Sequence, residues 1–285
     1  MASKISAKAL ELFAAASVFL LILAIGAFAH GGEEEIPESE IHDGKDVGGL
    51  KAASVRYISI AGIIAIALVL VSLFWKKKPE NAKLLLFLGI ALPILFATIY
   101  SAYSTIYLNL ASHTKGPVHW HADYEIWDCG VKIDLIRPEG ISNRVGSAVF
   151  HEHNDNRIHV EGVVIDKAEV DLHNFFTTVG GMLSKSALYL PTDNGFAEIK
   201  NGGLCNGREA KIHAFLYKVK NPDDAKNWFY EQQKLEDFEN YVLAPYSNVP
   251  PGDCIIIEFD EEKEKTGHMC ETYKSAILRG ELSGG

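Results

Sequence analysis

The chain has 285 residues, with 27 Lys and Arg against 37 Asp and Glu and a formal net charge of −10. The acidic excess lies wholly from His113 onward, so that part repels nucleic acid and anionic headgroups and attracts cations. With no basic stripe carrying interleaved aromatics, nucleic-acid binding is excluded.

Apolar residues gather in three runs before residue 111, and the rest has ordinary globular composition. This predicts a small membrane anchor followed by one or two modest soluble domains. The first run, Leu12 to Ala29, follows Lys4 and Lys8 and ends Ala27-Phe28-Ala29. That ending resembles a signal-peptidase site, but the apolar core is longer than usual for a signal peptide. Residues 1–30 therefore read either as a signal-like segment or as a transmembrane helix. Cleavage would expose His30, whose amine and ring nitrogen suit copper; without cleavage His30 is an ordinary interfacial residue. Residues 31–56 are acidic, contain glycine and are short of large apolar groups, which predicts an exposed extracytoplasmic loop.

Runs two (Tyr57 to Trp75) and three (Leu84 to Leu110) each approach or exceed the ~20 apolar residues that span a bilayer core. Residues 57–110 are thus predicted to form a two-helix transmembrane hairpin. Lys76, Lys77, Lys78 and Lys83 sit in its turn, which places that turn in the cytoplasm. The third run then exits outward, with Tyr100, Tyr103 and Tyr107 in the outer headgroup belt and a kink at Pro93. Neither run carries a charge at depth, so the helices read as an anchor or assembly interface rather than a conduit. Either reading of residues 1–30 leaves 113–285 as an extracytoplasmic domain of a multi-pass protein of the cytoplasmic membrane.

In that domain, His119 to Leu135 alternates as a strand, with Val131, Ile133 and Leu135 on one face and a turn at Cys129-Gly130. Ala148 to Val164 holds two extended pieces around Asn154-Asp155-Asn156-Arg157. Asp171 is placed to cap a helix carrying Leu172, Phe175, Phe176 and Val179, stopped by Gly180-Gly181. Ala187 to Leu190 and Phe196 to Lys200 read as strands joined by the turn Thr192 to Gly195. Ala210 to Lys220 reads as a longer strand. Asn221 to Asn240 is predicted to be helical in part, anchored by Trp228, Phe229, Leu235 and Phe238. Pro250-Pro251-Gly252 turns into a strand from Cys254 to Phe259. The order is that of an α+β fold with a mixed sheet, similar to a β-grasp arrangement, and no repeat of 20 to 50 residues is present.

Histidine carries the strongest chemical signal. Strand alternation puts His119, His121 and Asp123 on one face, His151 and His153 on one face, and His159 and Glu161 on one face. Paired strands of this kind can set three or four imidazoles around one ion. The predicted ligands are His119, His121, His151, His153 and His159, with Asp123, Asp155 and Glu161 as carboxylate ligands or supports. Imidazole suits Zn, Cu, Ni and Fe(II), and copper or zinc is favoured here. The competing reading is a hydrogen-bonded polar network on an acidic surface. No H-E-x-x-H helix occurs, so a zinc-protease motif is excluded. His113, His173 and His213 stand singly and read as structural, and His268-Met269-Cys270 forms a soft trio that could take copper.

The four cysteines, Cys129, Cys205, Cys254 and Cys270, contain no C-x-x-C and all follow the apolar runs. An even count on the oxidising side predicts two disulfides, with three connectivities open. Pairing Cys129 with Cys205 and Cys254 with Cys270 is preferred, since turn glycines neighbour the first two and the last two flank one strand.

The segments His119-Trp120-His121-Ala122-Asp123, His151-Glu152-His153, Ile158-His159-Val160-Glu161 and Leu172 to Phe176 together resemble a group of membrane- or lipid-anchored prokaryotic extracytoplasmic proteins. That group shares HxH, HxHxD and IHVE motifs ahead of a glycine-rich apolar helix. The resemblance spans about residues 118–260. It departs at Glu152, where the group tends to have Thr, and at Asn154, inserted before Asp155. It implies an outer domain whose histidine motifs act together, and supplies no reaction. The function expected is membrane-anchored metal binding. The alternatives are a metal-dependent enzyme using Glu152 or Glu161 as general base, and a structural or interaction module.

Overall fold

The computed structural model describes residues 47–285 apart from Ser142. The first apolar run, the site after Ala29, His30 and the acidic loop as far as Asp46 lie outside the described residues. The chain divides into two compact units, residues 1–108 and 109–285.

The described part of the first unit holds two long helices, α1 (Val47–Phe74) and α2 (Glu80–Ala111). Helix α1 begins well before the apolar run, so residues 47–56 of the expected loop are helical. The stretch Leu50-Lys51-Ala52-Ala53 is made of strong helix formers, which outweigh Gly48-Gly49. Lys78 closes the end of α1 by donating Nζ–H to the Ser72 and Trp75 carbonyls at 2.7 Å each. Pro79 immediately precedes α2, whose first turn carries Glu80 paired with Lys83 at 2.6 Å. Thr98, Ser101 and Thr105 return their hydroxyls to carbonyls four residues back, which satisfies them within an apolar surface. Only 6% and 11% of the most apolar windows of the two helices are buried. By length and composition both are long and apolar enough to cross a membrane.

The second unit is built on a nine-stranded mixed sheet. Its strands are β1 (Pro117–Asp128), β2 (Val131–Ile133), β3 (Val145–Gly146), β4 (Phe150–Glu152), β5 (Arg157–Val163), β11 (Lys211–Val219), β12 (Trp228–Leu235), β13 (Cys254–Asp260) and β14 (Leu282–Gly284). Between β5 and β11 the chain forms helix α3 (Leu172–Thr178), a small sheet of β6 (Met182–Leu183), β7 (Ala187–Thr192) and β8 (Gly195–Lys200), and a short hairpin of β9 (Leu204–Cys205) and β10 (Arg208–Glu209). Helix α4 (Glu271–Leu278) precedes β14. The main sheet runs β14-β12-β11-β13-β1-β5-β4-β3, with β2 folded back on β1. β1 and β13 are parallel, as are β12 and β14, and the other pairs are antiparallel.

Alternation divides the core. Tyr124, Ile126, Ile158, Val160, Phe150 and Ile257 join the larger cluster with Leu172, Phe175 and Phe176 of α3. Residues of opposite parity, Phe215, Tyr217, Cys254 and Ile256, pack with Tyr273 and Ala276 of α4. Asp171 caps α3 as predicted, accepting from the Asn174 amide at 2.8 Å.

Residues 228–235 correct a sequence expectation: they form a strand paired with β11, not a helix. Trp228-Phe229-Tyr230 is a β-favouring run, and its burial alternates with period two, whereas the helical spacing of Trp228, Leu235 and Phe238 was fortuitous. Only Phe238–Asn240 coils, as a single 3-10 turn. The cysteines pair as preferred, Cys129 with Cys205 and Cys254 with Cys270, at Cα separations of 5.2 and 5.8 Å. The closed loops stabilise the fold by roughly 3–4.5 kcal/mol each in the chain-entropy account.

Candidate metal centre

β1, β5 and β4 lie side by side, and their register decides the site. His121 stands opposite His159, and His159 opposite His151, so three imidazoles form one row across three strands. Two residues back along β1, His119 stands opposite Glu161. All point away from the large core, because their strand neighbours Ala122, Ile158, Val160 and Phe150 point into it. Adjacent strands are ~4.8 Å apart, so the rings touch. Centroids are 4.7 Å apart for His121 and His159, and 5.4 Å for His151 and His159, whose planes are within 4° of parallel. His153, just beyond β4, comes within 4.7 Å of His151 and 4.9 Å of His159. His119 lies 4.5 Å from His121. Two donor groups result, His119/His121/His159 and His151/His153/His159, and within each the donor atoms lie within 4.8 Å of one another.

Two of these rings are oriented by backbone carbonyls. His121 sets Nδ1 against the Ser247 carbonyl, and His153 sets Nδ1 against that of Asn143. A carbonyl only accepts, so Nδ1 carries the proton in both and Nε2 presents a lone pair. Histidine ligands in metal sites are commonly held in this way. His119 Nε2 lies 3.0 Å from His121 Nε2 and 3.0 Å from Glu161 Oε1. His159 Nε2 lies 3.5 Å from Asp155 Oδ2.

Burial is uneven. His119 and Glu161 face solvent, whereas His151 is 1% and His159 9% exposed. The Nδ1 atoms of both buried rings have no hydrogen-bond partner among the described residues. Burial holds the His151 ring down at about 4, helped by the neighbouring charges of His153, His159 and Arg144 and opposed by Glu161. Burial also lowers His121, against the Ser247 carbonyl and with His159, His119 and Arg157. Burial alone would raise Asp155, but the hydrogen bond and charge of His159, together with Arg157, hold it below the ordinary carboxylate value.

Searches of this sequence against protein-family models and curated proteins, and of this fold against solved structures, find no match. The chemistry of the site rests on its own geometry.

The predicted carboxylates divide. Asp155 and Glu161 lie beside the imidazoles. Asp123, on the same face, is 4% exposed and committed elsewhere: it accepts from Arg157 Nε at 2.8 Å and from the Thr272 hydroxyl on α4. It belongs to neither donor group and instead fastens the first turn of α4 to the sheet. Burial raises its carboxyl, with Arg157 and Thr272 opposing. Glu152 has the opposite parity to His151 and His153. Its Oε1 accepts from the Asp155 and Asn156 amides at 2.6 and 3.0 Å and closes the β4–β5 turn.

His173 and His268 have partners of their own outside the cluster. His173 Nδ1 is 2.9 Å from the Leu183 carbonyl. His268 stacks on Trp127 with centroids 3.6 Å apart. Cys270 is paired with Cys254, so the soft trio at 268–270 has no thiolate. A third donor group, Asp128, Cys129 and Cys205, is likewise occupied by a disulfide. Sequence reasoning missed the Ser247 and Asn143 carbonyls, which no side-chain pattern signals.

Proposed function

We propose that the chain is a membrane-anchored extracytoplasmic metal-binding protein, taking Cu(II) or Zn(II) on His119, His121, His151, His153 and His159, with Asp155 and Glu161 alongside. The observation that carries this reading is the pair of buried imidazoles, His151 and His159, whose Nδ1 atoms have no hydrogen-bond partner among the described residues. Leaving such an atom unpaired costs about 1–3 kcal/mol, and here, unlike at the lone His213, whose Nε2 is also unpartnered, the two rings stand among three further imidazoles. A ligand site keeps lone pairs free for an ion. With all four cysteines in disulfides, the donors are imidazole and carboxylate, which suits Zn(II) and Cu(II) better than the soft Cu(I).

Binding is favoured over hydrolysis because Glu152, one of the two candidate bases, faces the other side of the sheet. The lysine-rich turn between α1 and α2 and the two disulfides both support an outer location for residues 113–285. The resemblance to anchored extracytoplasmic proteins with HxH and IHVE motifs points the same way.

The test is elemental analysis of the full chain purified in detergent without a histidine tag, beside a His119→Ala/His153→Ala variant. Near-stoichiometric copper or zinc, lost in the variant, supports the reading. Absence of metal from the parent after reconstitution with either ion overturns it.

A further inference from the structure

We propose that the histidine face holds two ions that share His159. This rests on the metal-binding reading and deepens it. The two donor groups meet only at His159, and each has its own fittings. One contains His121, its ring fixed by the Ser247 carbonyl, and has Glu161 3.0 Å from His119 Nε2. The other contains His153, its ring fixed by the Asn143 carbonyl. Asp155 lies 3.5 Å from Nε2 of the shared ring. A single four-coordinate ion has no use for five imidazoles, and His119 lies 6.4 Å by ring centroid even from His159, at the near edge of the second group.

Sharing also has an atomic rationale. A neutral imidazole has one lone pair. Asp155 faces Nε2 of His159, so the ring proton belongs on Nε2 and the lone pair on the buried, unpartnered Nδ1. Nδ1 takes one ion. The second ion takes Nε2 in place of its proton, which is released to bulk water while Asp155 stays ionised beside it. The ring is then an anion between two cations, and with Glu161 and Asp155 it offsets three of the four positive charges of two divalent ions.

The test titrates Cu(II) into the detergent-solubilised full chain, into His119→Ala and His153→Ala singly, and into His159→Ala, with circular dichroism confirming the fold of each. His119 and His153 are partly exposed, which suits them to substitution. The expected result is about two ions per chain in the parent, about one in each single half-site variant, and loss of both tight sites in His159→Ala. Two Cu(II) ions joined through one ring couple their spins, so the integrated electron-spin-resonance signal should grow to the first equivalent and fall toward the second. One ion in the parent, weakened by either half-site variant, overturns the two-ion proposal and leaves metal binding intact. Two ions with additive signals overturn the sharing of His159. No bound copper overturns both readings.

Discussion

His159 belongs to both donor groups, so replacing it removes one ligand from each half of the face. Take zinc at 100 times the Kd of the parent. Ligation of the native state alone then stabilises by about 2.7 kcal/mol. For a unit spanning residues 109–285, each kcal/mol moves Tm by ~2–4 °C, so zinc should raise Tm by roughly 5–10 °C. Losing a direct ligand weakens binding at least as much as losing an outer partner, ~100-fold at the upper end of that range. At the same zinc concentration His159→Ala would sit near its Kd and gain only about 0.4 kcal/mol, or ~1–2 °C. The assay is differential scanning fluorimetry of the full chain with and without zinc, read as the difference within each protein, so any change in the variant's own stability cancels. His173→Ala, whose ring serves the Leu183 carbonyl, is the control and should keep the parent's shift. Equal zinc shifts in the parent and His159→Ala would refute the reasoning.

Other outcomes follow from the same contacts. The ring of His151 is held at about 4 in the fold against an ordinary 6.5. Above pH 6.5 it is neutral folded or unfolded; between 6.5 and 4 only the unfolded chain takes the proton, so metal-free stability falls across that window and levels off below it. The apo melting curve of His151→Gln should be flatter there, and parallel curves would contradict the assignment. Arg157→Met leaves Asp123, 4% exposed, without its guanidinium partner; a loss of about 3 kcal/mol or more is expected by urea denaturation, and a loss under ~1 kcal/mol would mean that Thr272 alone satisfies it. The anchor reading expects Lys77→Cys to react with an impermeant maleimide only from the cytoplasmic side and Ser283→Cys only from outside. There is no free cysteine to confuse the signal, and the reverse pattern would invert the topology.

What the sequence made legible is what period and turn chemistry encode. Alternation located β1 and β11, the Pro250-Pro251-Gly252 turn located β13, the polar patch at 154–157 separated β4 from β5, and the period of two put each H-x-H pair on one side of its strand. Asp171 and Gly180-Gly181 bounded α3, and the turn glycines beside Cys129 and Cys205, with Cys254 and Cys270 flanking one strand, led to the pairing found. What it hid is lateral. Nothing local says that β5 lies between β1 and β4, so the sequence named His159 as a ligand without showing that it is the centre of the row. Strand order also separates the carboxylates: Asp123 and His121 share a face, but Arg157, opposite Asp123, claims it. The β-grasp comparison rested on element order, which does not dictate which strands pair. Around Trp228, aromatic residues spaced for a helix also alternate, and pairing with β11 decided between the two.

The face that carries the histidines also separates a ligand site from a polar network. Along β1 its residues run His119, His121, Asp123, Glu125 and Trp127. Beneath α4 the polar members are satisfied: Glu125 accepts from Trp127 Nε1 at 3.1 Å, and Asp123 from Arg157 and Thr272. The polar groups of β1 beneath α4 are thus paired. Those across β5 and β4 are not, although His151 is more deeply buried than Glu125. If His151 served the fold, an apolar residue of similar volume would cost stability. If it serves an ion, His151→Leu removes an unmade hydrogen bond and the metal-free protein should be as stable as the parent or more so, by up to ~1–3 kcal/mol, while metal affinity falls. Equilibrium urea unfolding in chelator, set beside a zinc titration of the same variant, reads both quantities. A variant that loses stability and keeps its affinity would return His151 to the scaffold.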